Sequence, residues 1–226
     1  MKLCYNQSKI FIFILPLPSL TLFLVIVKNS FKKIKNYRMK FPESALAHKY
    51  LDGLRGIEIG GAAHNSFGLN TLNVDRLGSL DTHFKVAERE ICGEAMPVDI
   101  VAEGNKLPFP DKSYDFVISS HVIEHFYNPI SALLEWARVA KKYLFIIVPH
   151  RQRTFDSDKE LTKIIDLHNR HHSKVIVEDE YRGEHQTFFE PHNFNELCVL
   201  CGLNVVEIQD PDDKVGNGFT FVIKMD

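Results

Sequence analysis

Short apolar runs recur along the chain after residue 50 and predict the strands of a buried sheet. These runs cover residues 55–60, 72–75, 98–103, 114–119 and 143–148. Between 129 and 140 the apolar residues instead have helical spacing, with Asn128 as a plausible N-cap and Pro129 in the first helical position. Short apolar strands that alternate with helices predict an α/β protein with a Rossmann-like, doubly wound and mostly parallel sheet.

The C-terminal region follows a different pattern. A helix is predicted over 191–201, followed by strand-like runs at 204–208 and 218–224, with the turn-rich sequence DPDDKVGNG between them. We therefore expect the sheet to close with a C-terminal antiparallel hairpin. Residues 151–183 lack a clean period and are rich in histidine and charge, which predicts a helical insertion beside the functional site.

The N-terminal residues differ in composition from the rest of the chain. Residues 10–27 carry no charge, are interrupted by Pro16 and Pro18, and are followed by a strongly basic stretch. This pattern predicts a hydrophobic and basic extension over 1–40, a candidate membrane anchor that keeps the domain over 41–226 cytoplasmic. The alternative is a mis-assigned start upstream of Met39. A cleaved signal peptide is less favoured because no small-residue cleavage site follows the apolar stretch.

The charge distribution limits the kind of partner. The 226 residues have a net charge of −2, but the first forty carry eight bases and no acid. The remaining residues carry nineteen bases and twenty-nine acids, so the domain itself is clearly acidic. An acidic surface repels phosphate backbones, and we expect no nucleic-acid partner. Four scattered cysteines favour a reducing compartment, with Cys198 and Cys201 packed in a helix.

A glycine pair ends the first predicted strand, and an acid ends the second. Gly60 and Gly61 allow a backbone to approach a ligand closely, and Asp75 can accept hydrogen bonds from ribose hydroxyls. The glycine pair alone does not decide the function, since a tight strand-to-helix turn needs glycine in many α/β proteins.

The most specific segment is VAEGNKLPFPDKSYDFVISSHVIEH, over residues 101–125. Together with the glycine turn and Asp75, it resembles the class I methyltransferases that use S-adenosylmethionine (SAM), in the group with the type 11 methyltransferase domain. The resemblance covers residues 54–150 and implies an enzyme with SAM as its cofactor. The family's usual Glu-x-Gly-x-Gly-x-Gly is EIGGAAH here, with Ala62 and His64 at the later glycine positions. The resemblance assigns cofactor contacts to Glu58, Gly60, Gly61, Ala62, Asp75, Glu103, Gly104 and Ser120.

Methyl transfer from a sulfonium is an in-line displacement, in which alignment and exclusion of water supply most of the rate. If the acceptor is a hydroxyl group, a histidine is the suitable proton acceptor. The catalytic candidates are His121, His125 and His150, although His125 is also typical of a capping or packing residue. The methyl acceptor is expected to be a small molecule, a sugar of a glycan or a lipid-linked compound.

Five further histidines follow the fifth predicted strand and raise the question of a metal site with Asp156 or Glu190. They are His168, His171, His172, His185 and His192. Their spacing matches no specific ligand pattern, so the sequence favours a solvated helical face and no metal is predicted. Two other functions remain open: a non-catalytic binding module with the same fold, and a nicotinamide-dependent Rossmann oxidoreductase, which lacks support because no G-x-G-x-x-G is present.

Overall fold

The computed structural model describes residues 41–62, 66–173 and 184–226. Within them, seven strands form one sheet: Gly56–Ile59 (β1), Thr71–Asp75 (β2), Ile100–Val101 (β3), Tyr114–Ser120 (β4), Ala140–Pro149 (β5), Asn204–Gln209 (β6) and Gly218–Lys224 (β7). Their order across the sheet is β3-β2-β1-β4-β5-β7-β6. Strands β1 to β5 are parallel, whereas β7 is antiparallel to both β5 and β6. The predicted Rossmann-like α/β fold with a C-terminal antiparallel hairpin is confirmed.

Five α-helices lie in the described part of the chain: Ala45–Leu51 (α1), His83–Cys92 (α2), Pro129–Val139 (α3), Ile164–His172 (α4) and Pro191–Leu200 (α5). Two short 3-10 helices cover Ile123–His125 and Arg151–Arg153. Helix α3 begins as predicted, because the Asn128 side chain accepts a hydrogen bond from the Ser131 N–H at 3.2 Å. Helices α1 and α2 were not predicted from the sequence. Their N-caps, Ser44 and Thr82, are the local signals that could have located them.

Two strand boundaries differ from the sequence-based expectation. Strand β3 pairs only at Ile100–Val101, much less than the predicted 98–103, because it is an edge strand whose Val101 is 64% exposed. Strand β5 begins at Ala140 rather than at 143. Its first residues include two exposed lysines, Lys141 and Lys142. Because these charged residues interrupt the apolar run, the pattern of apolar residues does not show the start of the strand.

Side chains that alternate along the strands fill a core on each face of the sheet. On one face, Ile57, Val117 and Leu144 pack with Trp136 of α3. On the other face, neighbouring strand residues pack against α1. Trp136 is completely buried, and its indole Nε1 donates a hydrogen bond to the Gly104 carbonyl at 2.8 Å. This bond links the core to the turn that follows β3.

The expected insertion after β5 is helical only in part. The described residues contain a 3-10 turn and helix α4, while residues 174–183 lie outside the described part of the chain. Cys198 is buried in α5, and Cys201 directly follows that helix, so the packed interpretation of the pair is confirmed. Burial raises the pKa of the Cys198 thiol, and raises that of Cys201 to about 11.

The predicted extension over 1–40, including the candidate anchor at 10–27, lies outside the described residues. The division of the chain at residue 40 therefore stays a prediction. Among the helices that the structure describes, none has the length and apolar character needed to cross a membrane.

Replacing Trp136 by Ala should reduce the free energy of unfolding by about 3–5 kcal/mol, because a large buried ring and its hydrogen bond are both lost. Urea unfolding followed by circular dichroism measures this change. Leu134→Ala is the control on the same helix, since Leu134 is 42% exposed and should cost less than about 1 kcal/mol. Equal losses in the two variants would contradict the role given to Trp136.

Candidate functional site

The candidate site lies at the carboxyl edge of the parallel strands. Strand β1 has β2 on one side and β4 on the other, so the order of the strands reverses between β1 and β4. In open α/β sheets, the connections at such a reversal leave a crevice at the carboxyl ends of the strands, where ligands bind. The residues that follow β1, β2 and β4 are therefore brought to one edge.

The turn after β1 requires both glycines. Gly60 has a φ of +68°, and a Cβ atom there would lie 2.7 Å from Val122 Cγ2. A Cβ atom on Gly61 would lie 2.7 Å from Asn73 Oδ1, an atom that already accepts a hydrogen bond from the Gly61 N–H. Ala62 continues the turn, whereas His64 lies outside the described residues. The two glycines thus allow the turn to pack closely against Val122 and Asn73 at the strand end.

Three polar residues that the sequence analysis did not single out hold this turn in place. Lys85 is 2% exposed, and its ammonium donates to the Gly61 carbonyl and, at 2.9 Å, to Glu88 Oε2. The Asn73 amide donates to the Pro97 carbonyl at 2.8 Å. The sequence offered two signals for these residues. Asn73 is a polar residue inside an apolar strand, and Lys85 and Glu88 are an oppositely charged pair three positions apart.

Glu58 is buried in β1 just before the glycine turn. Its side chain is 2% exposed, and its Oε1 atom has no hydrogen-bond partner among the described residues. Burial raises the pKa of this carboxyl to about 7, although the positive charges of Lys214 and Lys85 oppose the rise. An orphaned buried acceptor of this kind is suited to receive a donor from a ligand.

The other predicted cofactor residues lie at neighbouring strand ends. Asp75 ends β2 and accepts a hydrogen bond from the Leu77 N–H at 2.9 Å, while its side chain stays partly exposed. Glu103 is exposed in the turn after β3, and Gly104 beside it is buried. Asp75 and the β3 turn are joined by a hydrogen bond from the Ala102 N–H to the Asp75 carbonyl at 3.0 Å.

Ser120 ends β4 on the other side of β1. It is buried, and its hydroxyl bonds to His121 Nδ1 at 3.0 Å. The structure thus places all eight predicted cofactor residues in the turns or at the strand ends along this edge. Their role as cofactor contacts stays a prediction.

The three predicted catalytic histidines differ in which ring nitrogen is free. His121 has both nitrogens engaged, by Ser120 and, at 2.8 Å, by Asn217 Oδ1. His150 caps a 3-10 helix, where its Nδ1 accepts from the Gln152 N–H at 3.2 Å. With Nδ1 accepting a hydrogen bond, the neutral rings of His121 and His150 both carry their proton on Nε2. Nε2 of these two histidines is therefore not available to accept a proton.

His125 has the opposite arrangement. Its Nδ1 lies 3.2 Å from the Glu184 carbonyl oxygen, an acceptor, which places the proton on Nδ1 and leaves a lone pair on Nε2. Burial lowers the pKa of His125 to about 4, with a further contribution from His185. A ring with so low a pKa stays neutral but is a weak base.

A second polar cluster lies beside the crevice, and the sequence did not predict it. It joins Glu124 and His125, directly after β4, to His185 and Asp156 from the region after β5. Burial raises the pKa of the Glu124 carboxyl to about 8, and the negative charge of Asp156 adds to the rise. The interpretation of the later histidines as one solvated helical face is wrong for His185, which is largely buried outside any helix.

The remaining histidines of that group lie apart from the cluster. His168, His171 and His172 share helix α4, and His192 is exposed on α5. Helix α4 packs against α3, where His171 is within hydrogen-bonding distance of Asn128 at 3.3 Å. Of these five histidines, which lie close together in the sequence, only His185 joins the buried cluster. The other four lie at the surface or are half-buried.

Comparison with known proteins agrees with this geometry. Residues 64–147 match the model of a family described as a methyltransferase domain. A SAM-dependent methyltransferase from Thermotoga maritima has a TM-score of 0.51 at 17% identity, covering 90% of this chain and 97% of that one. A protein from Pyrococcus horikoshii has a TM-score of 0.51 at 18% identity, covering 88% and 91%. No curated protein sequence matches significantly.

The described domain has the class I methyltransferase fold. The likeness to solved structures establishes this fold, and the family match covers the segment that carries the most specific sequence motif. The resemblance to the type 11 methyltransferase domain group is therefore confirmed. The match favours a methyltransferase over the nicotinamide-dependent alternative.

The stability of this domain should depend on the protonation of Glu58. The folded chain keeps this proton up to about pH 7, whereas the unfolded chain releases it near the ordinary value of 4.5. Between these values the folded state binds more protons, so the contribution of Glu58 to the free energy of unfolding falls as the pH rises. Glu58→Gln should remove this fall, which is on the order of 3 kcal/mol.

Urea unfolding at about pH 5 and about pH 8 measures the effect. The stability of Glu58→Gln relative to the unsubstituted chain should increase between the two pH values. Glu160→Gln, at an exposed position, should follow the unsubstituted chain at both. Parallel pH profiles for Glu58→Gln and the unsubstituted chain would show that burial does not perturb this carboxyl.

Proposed function

We propose that this protein is a SAM-dependent methyltransferase that transfers a methyl group to a small-molecule, glycan or lipid-linked acceptor by in-line displacement. The observation that carries the proposal is the alignment of Glu58, the glycine turn and Asp75 along the carboxyl edge of β1 and β2. This edge belongs to a domain that matches a methyltransferase family over residues 64–147. Asp75 lies within the matched residues, and Glu58 and the glycine turn directly precede them in the same sheet.

The residues at this edge fit the chemistry of SAM. Glycine at positions 60 and 61 lets this turn pack tightly against Val122 and Asn73, where a Cβ atom would clash. Asp75 offers carboxylate oxygens to ribose hydroxyls, and Glu58 offers a buried acceptor with an unused oxygen. When bound, SAM supplies an electrophilic methyl group on a sulfonium.

The contribution of the protein to the reaction is mainly positional. The glycine turn is fixed by Asn73 and Lys85, so the backbone groups around it are held before any ligand arrives. The adenine side of the site is formed by Glu103 and Gly104, and Trp136 anchors Gly104 from the core. This rigidity supports alignment of the two substrates without a strong base.

The acceptor side is expected near the ends of β4 and β5. His121, His125 and His150 all lie there, but only His125 leaves an Nε2 lone pair free by the hydrogen bonds described above. Because its pKa of about 4 makes His125 a weak base, a hydroxyl acceptor would lose its proton mainly to water. The acidic character of the domain supports an acceptor without a phosphate backbone.

The cofactor assignment predicts that the purified full-length chain binds SAM and its demethylated product. Asp75→Ala should weaken this binding by about 1.5–3 kcal/mol, or roughly 10- to 150-fold, because hydrogen bonds to a charged group are lost. Isothermal titration calorimetry measures both affinities. Asp81→Ala is the control, since Asp81 lies in the same connection with a side chain that is 93% exposed. Unchanged affinity in a folded Asp75→Ala variant would place the ribose elsewhere.

Methyl transfer itself is tested in cells that express the chain and are fed methionine with a labelled methyl group. A labelled product is expected with the unsubstituted chain, and strongly reduced amounts with Asp75→Ala. Mass spectrometry of that product identifies the acceptor class. SAM binding without any labelled product would instead support the non-catalytic binding module.

A further inference from the structure

The cluster after β4 brings three ligand-type atoms to one point. Glu124 Oε1 lies 3.7 Å from His125 Nε2 and 3.7 Å from His185 Nε2. All three atoms lie within 4.8 Å of one another. Two imidazole nitrogens and one carboxylate oxygen are ligands typical of zinc and related divalent transition metals, whereas magnesium and calcium prefer oxygen alone.

Both histidines present the nitrogen that a metal requires. His185 Nδ1 lies 2.6 Å from Asp156 Oδ2, and His125 Nδ1 lies 3.2 Å from the Glu184 carbonyl oxygen. Each acceptor fixes the ring proton on Nδ1, so in both rings the Nε2 atom, 3.7 Å from Glu124 Oε1, carries the lone pair. Histidines that bind metals almost always donate their other N–H to a carboxylate or a backbone carbonyl, as these two do.

The Glu124 carboxylate has no other role in the described structure. Its side chain is 1% exposed, and neither of its oxygens has a hydrogen-bond partner among the residues described. Leaving such a group unpaired in the interior is costly, and a bound cation would satisfy it. The Glu124 backbone is also fixed, because its carbonyl accepts hydrogen bonds from the Gln186 N–H at 2.8 Å and the Thr187 N–H at 3.1 Å.

We propose that Glu124, His125 and His185 bind a divalent transition metal, zinc in the first place, and that Asp156 orients His185. A tetrahedral zinc ion with bonds of about 2.0–2.1 Å separates its ligand atoms by about 3.3–3.4 Å. The two 3.7 Å distances to Glu124 Oε1 are about 0.3–0.4 Å longer than this, and the ligand atoms, all within 4.8 Å of one another, must draw together when the ion binds. Three protein ligands leave a fourth position for water or for an oxygen of a second substrate.

The surroundings of the cluster suit such a site. The His125 and His185 side chains are 16% and 10% exposed, so a bound ion would be largely shielded from water. The Phe155 ring lies 4.8 Å from the His185 ring and is itself 68% exposed. The metal would thus lie beside the end of β4, under one aromatic side chain that borders solvent.

Zinc titration of the full-length chain after treatment with a chelator tests this proposal. One zinc ion per chain should bind, and cobalt in its place should give the strong visible absorption of a tetrahedral site. His185→Asn and Glu124→Gln should each weaken zinc binding by more than about 100-fold, because a direct ligand is lost. Asp156→Asn should weaken it by about 10- to 100-fold through the orientation of His185.

Two controls keep the interpretation specific. His192→Gln and His172→Gln alter exposed histidines and should leave the zinc affinity unchanged. Circular dichroism and SAM binding, measured on every variant, separate loss of the metal site from loss of the fold. The proposal is overturned if the unsubstituted chain binds no stoichiometric zinc, or if a folded His185→Asn variant binds zinc as tightly as the unsubstituted chain. SAM binding is a separate readout, so the two proposals fail independently.

Discussion

The constraint on which the rest of the structure depends is the reversal of strand order between β1 and β4 in a sheet buried on both faces. Parallel strands need crossover connections, and here those connections leave β1 and β4 toward opposite sides. Backbone and polar groups at the carboxyl edge are therefore left beside a crevice. Residues far apart in the chain, such as Asp75 and Ser120, come to line the same edge for this reason.

Buried charges organise the side of that edge on which the cofactor is proposed to bind. Lys85 is held by Glu88 and the Gly61 carbonyl, and its positive charge also acts on Glu58. A buried ammonium needs such partners, since isolation in the interior would be far more costly than pairing. The glycine turn is thus held in place by Lys85 and Glu88, whose side chains do not themselves need to contact a ligand.

On the acceptor side, one residue links two separate parts of the chain. The Glu124 carbonyl accepts hydrogen bonds from the N–H groups of residues 186 and 187. Its carboxylate lies 3.7 Å from His125 and from His185. The segment after β5 is thus tied to the end of β4, and His185 is placed where it meets the carboxylate. The proposed cofactor edge and the proposed metal site are consequently adjacent through residues 120–125.

The sequence by itself determined most of the sheet and the position of the glycine turn after β1. Strand β5 contains the continuous apolar run over residues 143–148, and Asn128 with Pro129 marks the start of α3, because burial and capping act over a few neighbouring residues. The family resemblance supplied the cofactor assignments. Local patterns did not give the extent of edge strand β3, because its length depends on pairing with β2 rather than on its own apolar residues.

Only the tertiary structure decided the polar geometry. The sequence grouped His185 with the histidines of α4, because proximity along the chain was the sole available measure. Folding instead places it against Glu124 and Asp156, which are 61 and 29 positions away in the numbering. The proton positions on His121, His125 and His150 were equally hidden, since each is set by a hydrogen bond to a specific atom. Such contacts depend on backbone positions fixed by the whole sheet, and no local spacing in the sequence encodes them.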